Sequence, residues 1–129
     1  MGNFPFINFI KGRKQSFGNA FRGLIFAIRT QKNAQIHLAA TVLVVTISLG
    51  LKVSLIEFAI ILFCVAIVWI TEIFNTAIET LVDLCSPEYH PLAKISKDLS
   101  AAAVLISALF SAVIGLIILL PRLYQLFEK

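Results

Sequence analysis

At 129 residues the chain is about one domain long. With 59% hydrophobic and 14% charged residues it is far more apolar than a water-soluble domain, which excludes a disordered chain, a disulfide scaffold and a nucleic-acid module of ordinary polarity. The net charge of +4 is concentrated in an N-terminal block, where an anionic headgroup layer is the natural partner.

Residues 1–33 are expected to lie on the membrane rather than in it. Phe17, Phe21, Leu24 and Ile28 recur with helical spacing and line one face, while Arg22, Arg29 and Lys32 fall off that stripe. No signal peptide is expected, because Pro5, Asn8 and Lys11 interrupt the early apolar residues and no cleavage site follows. Residues 34–51 form the first and shortest candidate span. A second helix is predicted over 54–84, with an uninterrupted apolar run from Phe58 to Ile70 and no Gly or Pro between Val53 and Cys85. At 1.5 Å per residue it measures about 45 Å, more than a hydrocarbon core of about 30 Å, so one end reaches the headgroups. Residues 85–98 are expected to be a loop. Leu99 to Leu120, uncharged throughout and followed by Pro121-Arg122, is the clearest span. Cys64 and Cys85 match no metal or redox spacing and are expected to be small packing residues.

The Lys/Arg distribution orients these spans. Lys11, Arg13, Lys14, Arg22, Arg29 and Lys32 precede the first, Lys52 alone sits between the first and second, and Lys94 and Lys97 lie between the second and third. The N-terminus and the 85–98 segment are therefore expected inside, and the C-terminus outside.

A plain anchor would not carry the next feature. Glu72, Asn75, Glu79 and Asp83 fall within roughly 80° of one another on a helical wheel. An acidic residue within a span costs about 2.5–3.5 kcal/mol on insertion scales, so a stack of carboxylates calls for a cation or a cationic ligand. A solvated stripe beyond the bilayer would suit Asp83, but not Glu72, which closely follows the apolar run. No glycine-rich phosphate loop and no GxSxG or HExxH signature occurs. If a nucleotide binds, carboxylate-held metal and lysine must position its phosphates. On its own His90 reads as an ordinary loop histidine, and Lys97-Asp98 as a headgroup-level charge pair.

The pattern Glu72-x-x-Asn75-Thr76-Ala77-Ile78-Glu79-x-x-Val82-Asp83, then Ser86-Pro87-Glu88-Tyr89-His90-Pro91-Leu92-Ala93, then Lys97-Asp98 with Ala101-Ala102-Ala103-Val104, resembles the small prokaryotic diacylglycerol kinases, a family that includes undecaprenol kinases. The resemblance covers about residues 16 to 120, and the 86–93 segment is more similar to the undecaprenol kinases. It implies an all-α membrane protein of one domain, an amphipathic surface helix plus three transmembrane helices, assembled as a homotrimer in the bacterial inner membrane. It also implies an ATP- and Mg²⁺-dependent lipid kinase acting on diacylglycerol or undecaprenol, giving phosphatidic acid or undecaprenyl phosphate. By position Glu72 corresponds to the general base, Asn75 to the active-site asparagine and Glu79 to a metal ligand at the nucleotide. Glu88, Tyr89, His90, Lys97 and Asp98 correspond to nucleotide contacts. Phosphoryl transfer needs that chemistry: neutralised phosphate charge, positioning, and a base for the attacking hydroxyl. Two positions depart from the family pattern. Gln31 stands where a second metal-binding glutamate is expected, and Asn19 where an aromatic nucleotide contact is expected. An amide oxygen ligates Mg²⁺ with one charge fewer. Two other readings compete: a non-catalytic trimeric homologue acting as scaffold or regulator, favoured by Gln31, and a small cation channel or transporter using the carboxylate stripe. The channel requires a polar stripe across the whole bilayer, and Phe58–Ile70 offers none.

Overall fold

The computed structural model describes the backbone of residues 5–127 and the side chains of residue 13 and residues 15–125. Among these the chain is helical throughout: α1 is Pro5–Thr30, α2 Lys32–Gly50, α3 Leu55–Cys85 and α4 Pro91–Phe127. The last three are long and apolar enough to cross a membrane. Among the described residues there is no strand.

Gln31, in an extended conformation (φ −103°, ψ 121°), is the single residue that separates α1 from α2. Side-chain capping gives α2 no support there, so its first backbone N–H groups need partners elsewhere. On α1, Ala27 is buried and Leu24 and Ile28 are half-buried, whereas Phe17 and Phe21 face outward. One end of the predicted stripe thus packs on the bundle, and the other is free to enter the headgroup boundary.

The α2–α3 turn closes with Lys52 at φ 51°, the left-handed conformation in which a helix often ends and which glycine usually supplies. Ser54 then caps α3. Its hydroxyl accepts from Glu57 N–H and the Glu57 carboxylate accepts from Ser54 N–H at 2.6 Å, a reciprocal capping box. From there α3 and α4 pack along their length. Ile61, Cys64 and Val68 of α3 and Val104 of α4 are buried. Ser107 and Ser111 of α4 meet Thr71 and the Cys64 carbonyl of α3, at 2.8 and 3.3 Å. Ion pairs join the two helices at both ends, Asp83 to Lys97 (2.7 Å) and Glu57 to Arg122 (2.8 Å).

Three expectations need correction. The segment 85–98 is not all loop: α4 begins at Pro91, and only residues 86–90 connect the helices. Proline is pre-organised for the first helical position, and the His90 imidazole Nδ1 accepts the Leu92 N–H at 3.2 Å, capping the helix. Lys94, Lys97 and Asp98 are therefore helical. Pro121 does not end α4 either; it lies inside the helix, which runs on to Phe127. One lost backbone hydrogen bond is tolerated there. Cys64 is buried as expected, but Cys85 is exposed at the end of α3 and packs against nothing that buries it.

Candidate functional site

The polar stripe of α3 meets α2 at Glu72 and α4 at Asn75 and Asp83. Glu72 and Asn75 are buried and Glu79 is half-buried, all on one side of α3. Glu72 is enclosed, with 1% of its surface exposed. Two features of α2 face its carboxylate. The backbone N–H of Ala34, in the first turn of α2, lies against it, so the positive end of that helix supports the negative charge. The His37 imidazole Nε2 is 3.8 Å from Oε2, too far for a hydrogen bond. Among the described residues Glu72 Oε2 is a buried side-chain oxygen with no hydrogen-bond partner.

A chain of hydrogen bonds fixes the next two residues. Ser100 of α4 donates its hydroxyl to Asn75 Oδ1 at 2.6 Å, and Asn75 Nδ2 donates to Glu79 Oε1 at 3.2 Å. Ser100 thus fixes the Asn75 amide from the neighbouring helix, and that amide holds a carboxylate one turn along its own helix. Asp83, a turn further on, holds the Lys97 ammonium. The structure therefore brings Glu72, Asn75, Glu79 and Lys97 to one end of the α3–α4 pair.

Among the described residues the other candidates make no hydrogen bond or ion pair with these four. Glu88, Tyr89 and His90 are exposed in the short connection, and Asp98 pairs with Lys94 at 2.7 Å on the exposed face of α4. Gln31 is half-buried at the α1–α2 break, and Asn19 is exposed on α1, where its Oδ1 accepts from Arg22.

Sequence reasoning missed two residues that the structure places in the site. His37 is the sole ionisable side chain of α2 beyond Lys32, a signal in itself within a span. Ser100 begins a helical-phase series, Ser100, Val104, Ser107 and Ser111, that marks the α4 face turned to α3.

The donors available to a metal ion are hard oxygens. Asn75 engages Oε1 of Glu79, and the Gln31 side chain makes no capping bond. Among the described residues no group of three His, Cys, Asp or Glu converges to hold a metal by itself. Such a sparse oxygen set does not suit Zn²⁺, but it fits Mg²⁺, which is usually held by one or two carboxylates together with water and substrate phosphates.

Known proteins resemble this chain over most of its length. Residues 18–119 match the family model described as prokaryotic diacylglycerol kinase. The chain is 42% identical over 109 residues to the undecaprenol kinase of Bacillus subtilis (strain 168), covering 84% of this chain and 89% of that protein. It is 40% identical to a diacylglycerol kinase of Synechocystis over 86% of this chain, of which it spans 64% of the length. It is 39% identical to the diacylglycerol kinase of Escherichia coli (strain K12) over 79% of this chain and 84% of that protein.

Proposed function

The chain belongs to the prokaryotic diacylglycerol kinase family, and from that premise we propose that this multi-pass membrane protein is a lipid kinase that transfers the ATP γ-phosphoryl group to the hydroxyl of diacylglycerol or undecaprenol. The observation that carries the reading is Glu72: a carboxylate enclosed within a span, with one oxygen unpartnered, on the same side of α3 as Asn75 and Glu79.

In this reading Glu72 takes the proton of the attacking hydroxyl as that oxygen bonds to the γ-phosphorus. Asn75, held by Ser100, orients the Glu79 carboxylate. Glu79 and the Gln31 amide oxygen would hold Mg²⁺, which when bound neutralises phosphate charge. Lys97 supplies an ammonium to the phosphates from the first turns of α4, and Glu88, Tyr89, His90 and Asp98 contact the nucleotide from the short connection and its flank. Exclusion of water around Glu72 favours a lipid acceptor over hydrolysis. The protein works as a homotrimer in the bacterial inner membrane with its N-terminus inside, where ATP is found.

The test is direct. Purified protein in mixed micelles receives labelled ATP with diacylglycerol or undecaprenol, each with and without Mg²⁺. Label is expected in phosphatidic acid or undecaprenyl phosphate only when Mg²⁺ is present. Binding of ATP with no labelled lipid from either acceptor would favour the non-catalytic homologue.

A further inference from the structure

Glu72 Oε2, shielded from solvent, and Nε2 of the half-buried His37 stand 3.8 Å apart, and neither reaches the other. Two groups that each hydrogen-bond one hydroxyl oxygen at about 2.8 Å lie roughly 4–4.5 Å from each other. The observed gap is beyond a direct hydrogen bond and a few tenths of an ångström short of the spacing of a shared hydroxyl, which a small shift of the imidazole supplies. His37 is also the polar end of an apolar groove of about 490 Å³ between α2, α3 and α4. Val44, Ile47, Ile61, Val65 and Leu119 line it further down. Along α2, from His37 to Ile47, the groove is about 15 Å long. A molecule that fills both features has a hydroxyl at one end and a hydrocarbon chain behind it.

We propose that the acceptor hydroxyl sits between Glu72 Oε2 and His37 Nε2, that His37 is the residue orienting it, and that the lipid chain lies in the groove His37 lines. The proposal rests on the lipid-kinase reading above. His37 carries its proton on Nε2 and donates it to one lone pair of the hydroxyl oxygen. The hydroxyl proton then points at Glu72 Oε2, and the remaining lone pair is free to attack. In the step itself the lipid O–H bond breaks and its proton passes to Glu72. A bond forms from the lipid oxygen to the γ-phosphorus of ATP, and the bond from that phosphorus to the β–γ bridging oxygen breaks, releasing ADP. His37 keeps its proton throughout.

The test compares the full-length parent with His37→Leu and His37→Gln in mixed micelles. His37→Leu keeps the groove apolar and removes the donor, while the glutamine amide N–H stands near the position of Nε2. The leucine variant is expected to lower lipid kcat/KM about tenfold, with ATP KM within about twofold of the parent. The glutamine variant is expected to recover most of that loss, which a merely structural role would not produce. A second measurement needs no turnover: the ¹⁵N imidazole spectrum, with His37 assigned from the glutamine variant, is recorded on adding geranylgeraniol or dioctanoylglycerol without ATP. A shift of the His37 Nε2 resonance is expected. A leucine variant as active as the parent overturns the proposal. So does loss of ATP affinity together with lipid turnover and no rescue by glutamine, or an unmoved His37 resonance, which would leave the gap to water and the groove to a neighbouring chain. If the parent phosphorylates neither lipid, the kinase reading fails, and the imidazole spectrum still decides whether His37 meets a lipid hydroxyl.

Discussion

Glu72 is enclosed, and the groups that face it from α2 are a backbone N–H and an imidazole rather than an arginine or lysine. A carboxylate kept in that state is poised to accept a proton. Glu72→Gln is therefore expected to lower phosphoryl transfer by about 10²–10⁴ while ATP binding persists. Glu79→Gln should instead raise the Mg²⁺ concentration needed for half-maximal rate, and a steady-state titration of both variants separates the two roles. Gln31→Glu is expected to lower ATP KM without a proportionate gain in kcat, since added charge at a hard-cation site acts on binding common to ground and transition states. An unchanged or higher ATP KM would show that Gln31 does not serve the metal. The stripe itself was legible in the sequence, because helical phase alone puts Glu72, Asn75 and Glu79 together. Their partners were not. His37 and Ser100 reach them from other helices, and a one-dimensional pattern carries no information on which face of α2 or α4 turns toward α3.

At the level of elements, the apolar runs dictated three spans, while the ends of the helices depended on local chemistry. The predicted 85–98 loop shrank to 86–90 because Pro91 and the His90 imidazole start α4 early, and Pro121 failed to stop it. The α2–α3 turn offers a test of such local effects with opposite signs. Ser54→Ala removes the hydroxyl that accepts from Glu57 N–H and is expected to destabilise the protein by about 1 kcal/mol. Lys52→Gly relieves a side chain held at positive φ and is expected to stabilise it by a similar or smaller amount. Thermal unfolding in a single detergent, read by circular dichroism, should show the two melting temperatures moving apart.

For the whole molecule, the distribution of basic residues predicts which side each turn occupies. On a background lacking Cys64 and Cys85, a cysteine at position 52 should be labelled by an impermeant reagent from the outside, and one at position 94 only from the inside. The reverse pattern would remove Lys97 and Glu79 from the compartment that holds ATP, and the proposed function with them. A single chain also leaves many large apolar side chains exposed on its spans, among them Phe63, Leu105, Phe110 and Ile117. Lipid or further copies of the chain must cover them, and the proposed trimer is checked by chemical cross-linking in native membranes.

The two ion pairs that close the ends of α3 and α4 have a mechanical consequence. Glu57 and Asp83 on one helix, and Arg122 and Lys97 on the other, are each separated by about 38 Å along the helix axis. That exceeds a hydrocarbon thickness of about 30 Å, so both clamps fall at headgroup depth. The helices cannot slide past each other to shorten or lengthen their apolar stretch without breaking a clamp. In a bilayer of a different thickness the pair must tilt as one rigid strut or deform the lipid around it, at a fraction of a kcal/mol for each ångström of mismatch.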